Sequence, residues 1–124
     1  MTTTSDSRQL ISSFLAARQE PDGEAADLMH SDFTFESPMM RIEDATKYLE
    51  SHRSFQNLVK GTTMISELYG PDEATLFYDL DTATPVGVQR TAEHFRIIDG
   101  KVAGIMLLFD SALWRPIFEH LGRD

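Results

Sequence analysis

The chain has no cysteine, which rules out disulfides, thiolate nucleophiles and cysteine-based zinc sites, and leaves the redox compartment open. It is also poor in positive charge. Eleven Lys and Arg stand against twenty Asp and Glu, a net charge of -9, and a field of that sign repels phosphate backbones and anionic lipid. Nucleic acid and membrane are therefore not expected as partners. The longest apolar run, "VAGIMLLF" at 102–109, is far too short to span a bilayer, and "MTTTSDSRQL" lacks the basic and apolar regions of a signal peptide, so a cytoplasmic protein is expected. No glycine-rich phosphate loop of GxGxxG or GxxxxGK type occurs, nor a G-x-S-x-G nucleophile elbow. The four histidines, His30, His52, His94 and His120, are dispersed without HxxxH spacing, so neither a metal nor a cofactor is expected.

What is present suits one globular domain. At 124 residues, 41% apolar and 25% charged, the chain can bury roughly two thirds of its unfolded surface, enough for a core with a cavity in it. Residues 1–4 read as a frayed polar tail. Ser5 or Asp6 can then cap a helix whose Leu10, Ile11, Phe14 and Leu15 form one stripe, ended by Pro21-Asp22-Gly23. A short helix through Ala25, Ala26, Leu28 and Met29 follows, with Asp22 as its cap. "DFTFESP" alternates as a strand halted by Pro38, and from Glu43 the spacing of Ala45, Tyr48, Leu49, His52 and Phe55 is helical again.

Four strands succeed one another after Gly61: "TTMISELY", "ATLFYDLDT", "VQRTAEHFRII" and "KVAGIMLLF", the last two joined by Asp99-Gly100 as a hairpin. Asp110 or Ser111 can cap a closing helix with Leu113, Trp114, Ile117, Phe118 and Leu121 as its apolar contacts. Helices followed by an antiparallel meander make an α+β fold with helices on one face of a strongly bent sheet. In the last strand Ala103, Ile105, Leu107 and Phe109 share one face and Val102, Met106 and Leu108 the other. A strand apolar on both faces is covered on both, which predicts a homodimer through the outer sheet face.

One residue contradicts its surroundings. Counting by two, Thr91, Glu93, Phe95 and Ile97 share a face, with His94 and Arg96 opposite, so a carboxylate stands on the core side. In an apolar cavity Glu93 would be held neutral and could serve as an internal acid or base. A β-bulge that swings it into water or onto Arg90 is the alternative. Tyr78 lies on the inner face of its strand, and Tyr48 and His52 are one helical turn apart, so each offers a polar group to a ligand. Phe14, Phe33, Phe35, Phe95 and Phe109 come from separate elements, and their convergence beside one acid would make an apolar pocket.

The helix carrying Phe14, "DGEAADLMHSDFTFESP" at 22–38 and above all "EHFRIIDGKVAGIMLLFD" at 93–110 together resemble the nuclear transport factor 2-like superfamily, which includes ketosteroid isomerases, limonene epoxide hydrolases and SnoaL-like polyketide cyclases. The resemblance covers nearly the whole chain. It implies one SnoaL-like domain over 1–124: a curved antiparallel sheet wrapped around N-terminal helices, a cone with an apolar cavity, often dimeric. It also implies that Glu93 matches the isomerases' oxyanion-binding acid, "DHFRF" being written here as "EHFRI". Ser37 stands at the isomerases' general base, Phe14 at their oxyanion tyrosine, and Leu107 at the last-strand acid of the hydrolases and cyclases, so their complete acid/base sets are missing. The function expected is binding of a small, largely apolar molecule, with proton-transfer chemistry of isomerase, cyclase, dehydratase or epoxide-hydrolase type at Glu93. A noncatalytic binding or dimerisation module is the alternative.

Overall fold

The computed structural model describes residues 2–20 and 24–122, the side chains of 120–122 excepted. Helix α1 (Thr4–Gln19) starts earlier than its apolar stripe suggests, because Thr3 rather than Ser5 or Asp6 is the cap: its hydroxyl accepts the Asp6 amide at 3.1 Å. The expected tail is docked. Thr2 is buried, its amide donates to Asp72 Oδ1 at 2.6 Å and its carbonyl accepts the Asp72 amide at 3.0 Å. Ser7, Ile11, Phe14 and Arg18 form the buried side of α1. The Pro21-Asp22-Gly23 break and the Asp22 cap lie outside the described residues.

A single 3₁₀ turn (Ala25–Leu28) leads into β1 (Met29–Glu36), and a tight turn returns the chain as the two-residue β2 (Arg41–Ile42), which the sequence did not reveal. Helix α2 (Ala45–Gln56) is capped by Asp44, whose carboxylate accepts the Lys47 amide at 3.0 Å. The four expected strands are β3 (Val59–Gly70), β4 (Glu73–Thr82), β5 (Val88–Ile98) and β6 (Lys101–Leu108). They make one six-stranded sheet in the order β2-β1-β6-β5-β4-β3. All pairings are antiparallel except β1 with β6, which is parallel and closes the sheet's two sequence-distant halves onto each other.

The hairpin turn is as its residues demand: Asp99 and Gly100 both have positive φ, 53° and 72°, as a two-residue turn between twisted strands requires. Two residues further on the ladder slips. Ile97 faces Val102 but Arg96 faces Gly104, so Ala103 is an extra residue. The bulge turns Val102 into the core beside Ile97 and Ile105, correcting its expected place with Met106 and Leu108. On the outer face Phe77, Ala92 and Leu108 stand in one cross-strand row, and Phe77, Met106 and Leu108 are exposed. Among the described residues of one chain, then, the sheet is covered on its inner side alone.

The last described element is α3 (Arg115–Gly122), entered through a turn in which Asp110 accepts the Ala112 amide and the Ser111 carbonyl accepts the Arg115 amide. Trp114 is buried between Phe55 and Phe118, with its indole N–H donating to Gln89 Oε1 at 2.9 Å. Leu113, expected as a contact, is exposed, and the Leu121 side chain lies outside the described residues.

Candidate functional site

Between α1, α2 and the inner face of the sheet lies a cavity of about 520 Å³. Strand alternation supplies one wall: Gln89, Thr91 and Glu93 from β5 beside Leu76, Tyr78 and Leu80 from β4. Helix α2 adds Tyr48, His52 and Phe55; Phe35, Ser37, Leu107 and Phe109 close the side near β1 and β6, and Trp114 and Phe118 the end near α3. The Ser37 hydroxyl accepts the Met39 and Met40 amides, each at 3.2 Å, so it caps the β1–β2 turn. Three of the expected lining residues are elsewhere. Phe14 and Phe95 meet edge to face at 6.2 Å, and the Arg18 guanidinium lies over both rings and, unlike them, borders the cavity. Phe33 is packed against Tyr48 at 5.1 Å.

Glu93 faces inward, as the alternation of β5 predicts, and is 3% exposed. It is not the lone neutral acid expected there. Arg18 Nη1 donates to its Oε2 at 2.7 Å, Arg18 Nη2 donates to its Oε1 at 3.0 Å, and the Tyr78 hydroxyl donates to Oε1 at 3.0 Å. Burial by itself would raise the carboxyl's pKa, but the charge of Arg18 and the hydrogen bonds from Arg18 and Tyr78 outweigh it and hold Glu93 below the usual carboxylate range. Nor does Arg90 reach it, because Arg90 is outside, paired with Asp79 at 2.9 Å.

The rest of the cluster follows from this ion pair. Arg18 Nη1 also donates to the Tyr48 hydroxyl oxygen at 2.9 Å. Burial raises the Tyr48 phenol to about 12, and burial followed by the neighbouring Glu93 charge raises Tyr78 further, so both stay protonated. His52, stacked 6.0 Å from Tyr48, is pushed down to about 4 by burial and then by Arg18, which makes it a neutral imidazole at physiological pH. Among the described residues no three His, Asp or Glu side chains gather as a metal site would need.

Arg18 is the residue that sequence reasoning missed. Its signal was its place: four residues after Phe14 and seven after Ile11, it continues the apolar stripe with a cation. A charged residue on the core stripe of a helix and one on the core face of a strand imply each other, since neither can be buried alone.

No protein-family model matches the chain, and neither does any curated protein. Solved structures do. An NTF2-like protein of unknown function from Cytophaga hutchinsonii superposes with a TM-score of 0.70 at 21% identity, over 95% of this chain and 96% of that one. An NTF2-like protein from Burkholderia xenovorans gives a TM-score of 0.75 at 13% identity, over 93% and 98% of the two chains. A Kribbella flavida protein provisionally named a ketosteroid isomerase gives 0.69 at 21% identity, over 90% and 83%. Identities this low carry the fold and no more, and the fold they carry is the nuclear transport factor 2-like fold.

Proposed function

We propose that the chain is a binding protein for a small, largely apolar molecule held in the cavity between the helices and the sheet. The observation that carries this reading is the cavity itself. Its volume lies in the range of small-molecule sites, roughly 300–1,000 Å³, its exposed wall is mostly apolar, and its two charges, Arg18 and Glu93, cancel within the protein. Glu93 is then a fixed counter-ion. A carboxylate that accepts two guanidinium donors and a phenol has lost most of its basicity, so it supports a binding role better than acid or base catalysis.

Trp114, the sole tryptophan, lines the cavity and reports on its contents. Titration with n-decanol is expected to change Trp114 fluorescence saturably, and Leu107→Trp, which fills the space, is expected to abolish uptake of radiolabelled decanol. Linear, unsaturable uptake by the parent chain would remove the proposal.

A second reading, proton-transfer catalysis of isomerase, cyclase, dehydratase or epoxide-hydrolase type, is favoured by the neutral imidazole of His52 in the cavity wall and by the name of the Kribbella flavida relative. Its mark would be hydrogen–deuterium exchange into 2-tetralone that His52→Gln abolishes. We also propose that the outer sheet face carries a second copy of this chain, because Phe77, Met106 and Leu108 with Ala92 leave an apolar area there that no other element among the described residues covers.

A further inference from the structure

The cavity does not end at its apolar wall. Beside it, at the C-terminal ends of α1 and α2, a cleft of about 320 Å³ is lined by Arg18, Gln19, Arg53, Ser54, Gln56 and Asn57. Arg18, Gln19, Ser54 and Gln56 border both spaces, so the two adjoin at these side chains. The Gln56 side-chain amide donates to Gln19 Oε1 at 2.5 Å and ties the helix ends together where the spaces adjoin. Every side chain of the cleft is polar, in contrast to the compartment next door.

The cleft also holds charge without an answer. Arg18 is neutralised by Glu93, but no ion pair among the described residues involves Arg53. The Nε atoms of both arginines are buried and have no hydrogen-bond acceptor among the described residues. In a chain with a net charge of -9, a half-buried guanidinium with no carboxylate partner among the described residues is unusual, and buried donors are ordinarily paired. The carbonyl ends of α1 and α2 contribute negative potential here, which the two arginines in the last turns oppose. Nearby His52 feels these charges: burial is the largest cause that keeps it neutral, Arg18 and Arg53 add to it, and Glu93 opposes them.

We infer that the cleft is the head-group site for the cavity's ligand, and that this ligand is an amphipathic carboxylate whose apolar body fills the cone while its anionic end meets Arg53. The inference rests on the cavity being a ligand site. A carboxylate has the planar, acceptor-only geometry that a guanidinium edge matches, and the neighbouring carboxamides and Ser54 hydroxyl can bond its remaining lone pairs.

The test compares decanoate with n-decanol at about pH 7.5, where the acid is ionised. Both are titrated into the parent chain, Arg53→Gln and Arg53→Lys, with Trp114 fluorescence as the readout. Decanoate is expected to bind the parent about tenfold more tightly than decanol, as a charge-assisted hydrogen bond allows. Arg53→Gln should remove that advantage and leave decanol binding unchanged, while Arg53→Lys should keep part of it. Decanol binding as tightly as decanoate in the parent, or Arg53→Gln weakening both equally, would overturn the head-group site and leave the cavity reading intact. Saturable binding of neither probe would overturn both.

Discussion

The Arg18–Glu93 pair decides how the interior behaves. Both side chains are buried, so removing one partner leaves a charge with nothing to answer it, a loss typically of about 3–5 kcal/mol. Arg18→Met and Glu93→Gln are each expected to lower urea-unfolding stability by about that amount, and Arg18→Met/Glu93→Leu by less than the sum, since the two act as a unit. Additive losses would mean that the pair is not coupled. A neutral Glu93 would predict the opposite sign, with Glu93→Gln stabilising the protein. The pH dependence follows from the depressed carboxyl pKa. The pair's contribution is complete above the ordinary carboxylate value, where unfolded Glu93 is also ionised, and disappears as pH falls through the lower folded value. Acid unfolding should therefore be less steep in Glu93→Gln than in the parent. Half of this arrangement was legible: period-two counting placed Glu93 inside. Its partner was not, because periodicity is local and the two residues are 75 positions apart.

Elements were easier to read than their pairing. The stretches that became α2, β4, β5 and β6 declared themselves through spacing and turn residues, and the Asp99-Gly100 turn has the left-handed backbone its dipeptide promised. Gly100 has φ 72°, so Gly100→Ala should cost about 1 kcal/mol or slightly more through strain, even though its methyl would meet open space. Thermal unfolding compares the two directly, and an unchanged midpoint would show that the turn relaxes. The bulge at Ala103 left no mark in composition. One extra residue reassigns Val102 to the other face, and nothing in "KVAGIMLLF" distinguishes one unbroken alternation from two shorter ones joined out of phase. Likewise β2 is two residues long, too short for any period to show.

At the scale of the molecule, the outer sheet face predicts association. Sedimentation at micromolar concentration is expected to show twice the chain mass of 14.0 kDa, and Leu108→Glu, which places a charge in the middle of the apolar row, is expected to return it to 14.0 kDa. A parent chain that sediments at 14.0 kDa would leave the face without its proposed partner. The helix-and-meander architecture was readable from element order, whereas the parallel closure of β1 onto β6 was not, because it joins segments that no turn connects.

That closure also sets an order of events. As the chain leaves the ribosome, α1 and β1 emerge first, with Arg18 lacking its carboxylate partner and β1 lacking β6, its parallel neighbour. Neither β5, which brings Glu93, nor β6, which completes the sheet, exists until most of the chain has been made. Loop closure over such distances makes folding slow relative to helix formation. The ion pair at the floor of the hollow interior thus forms late, and a nascent chain halted before Glu93 can lay its first helix against α2, β3 and β4 but has no carboxylate to answer the buried charge of Arg18.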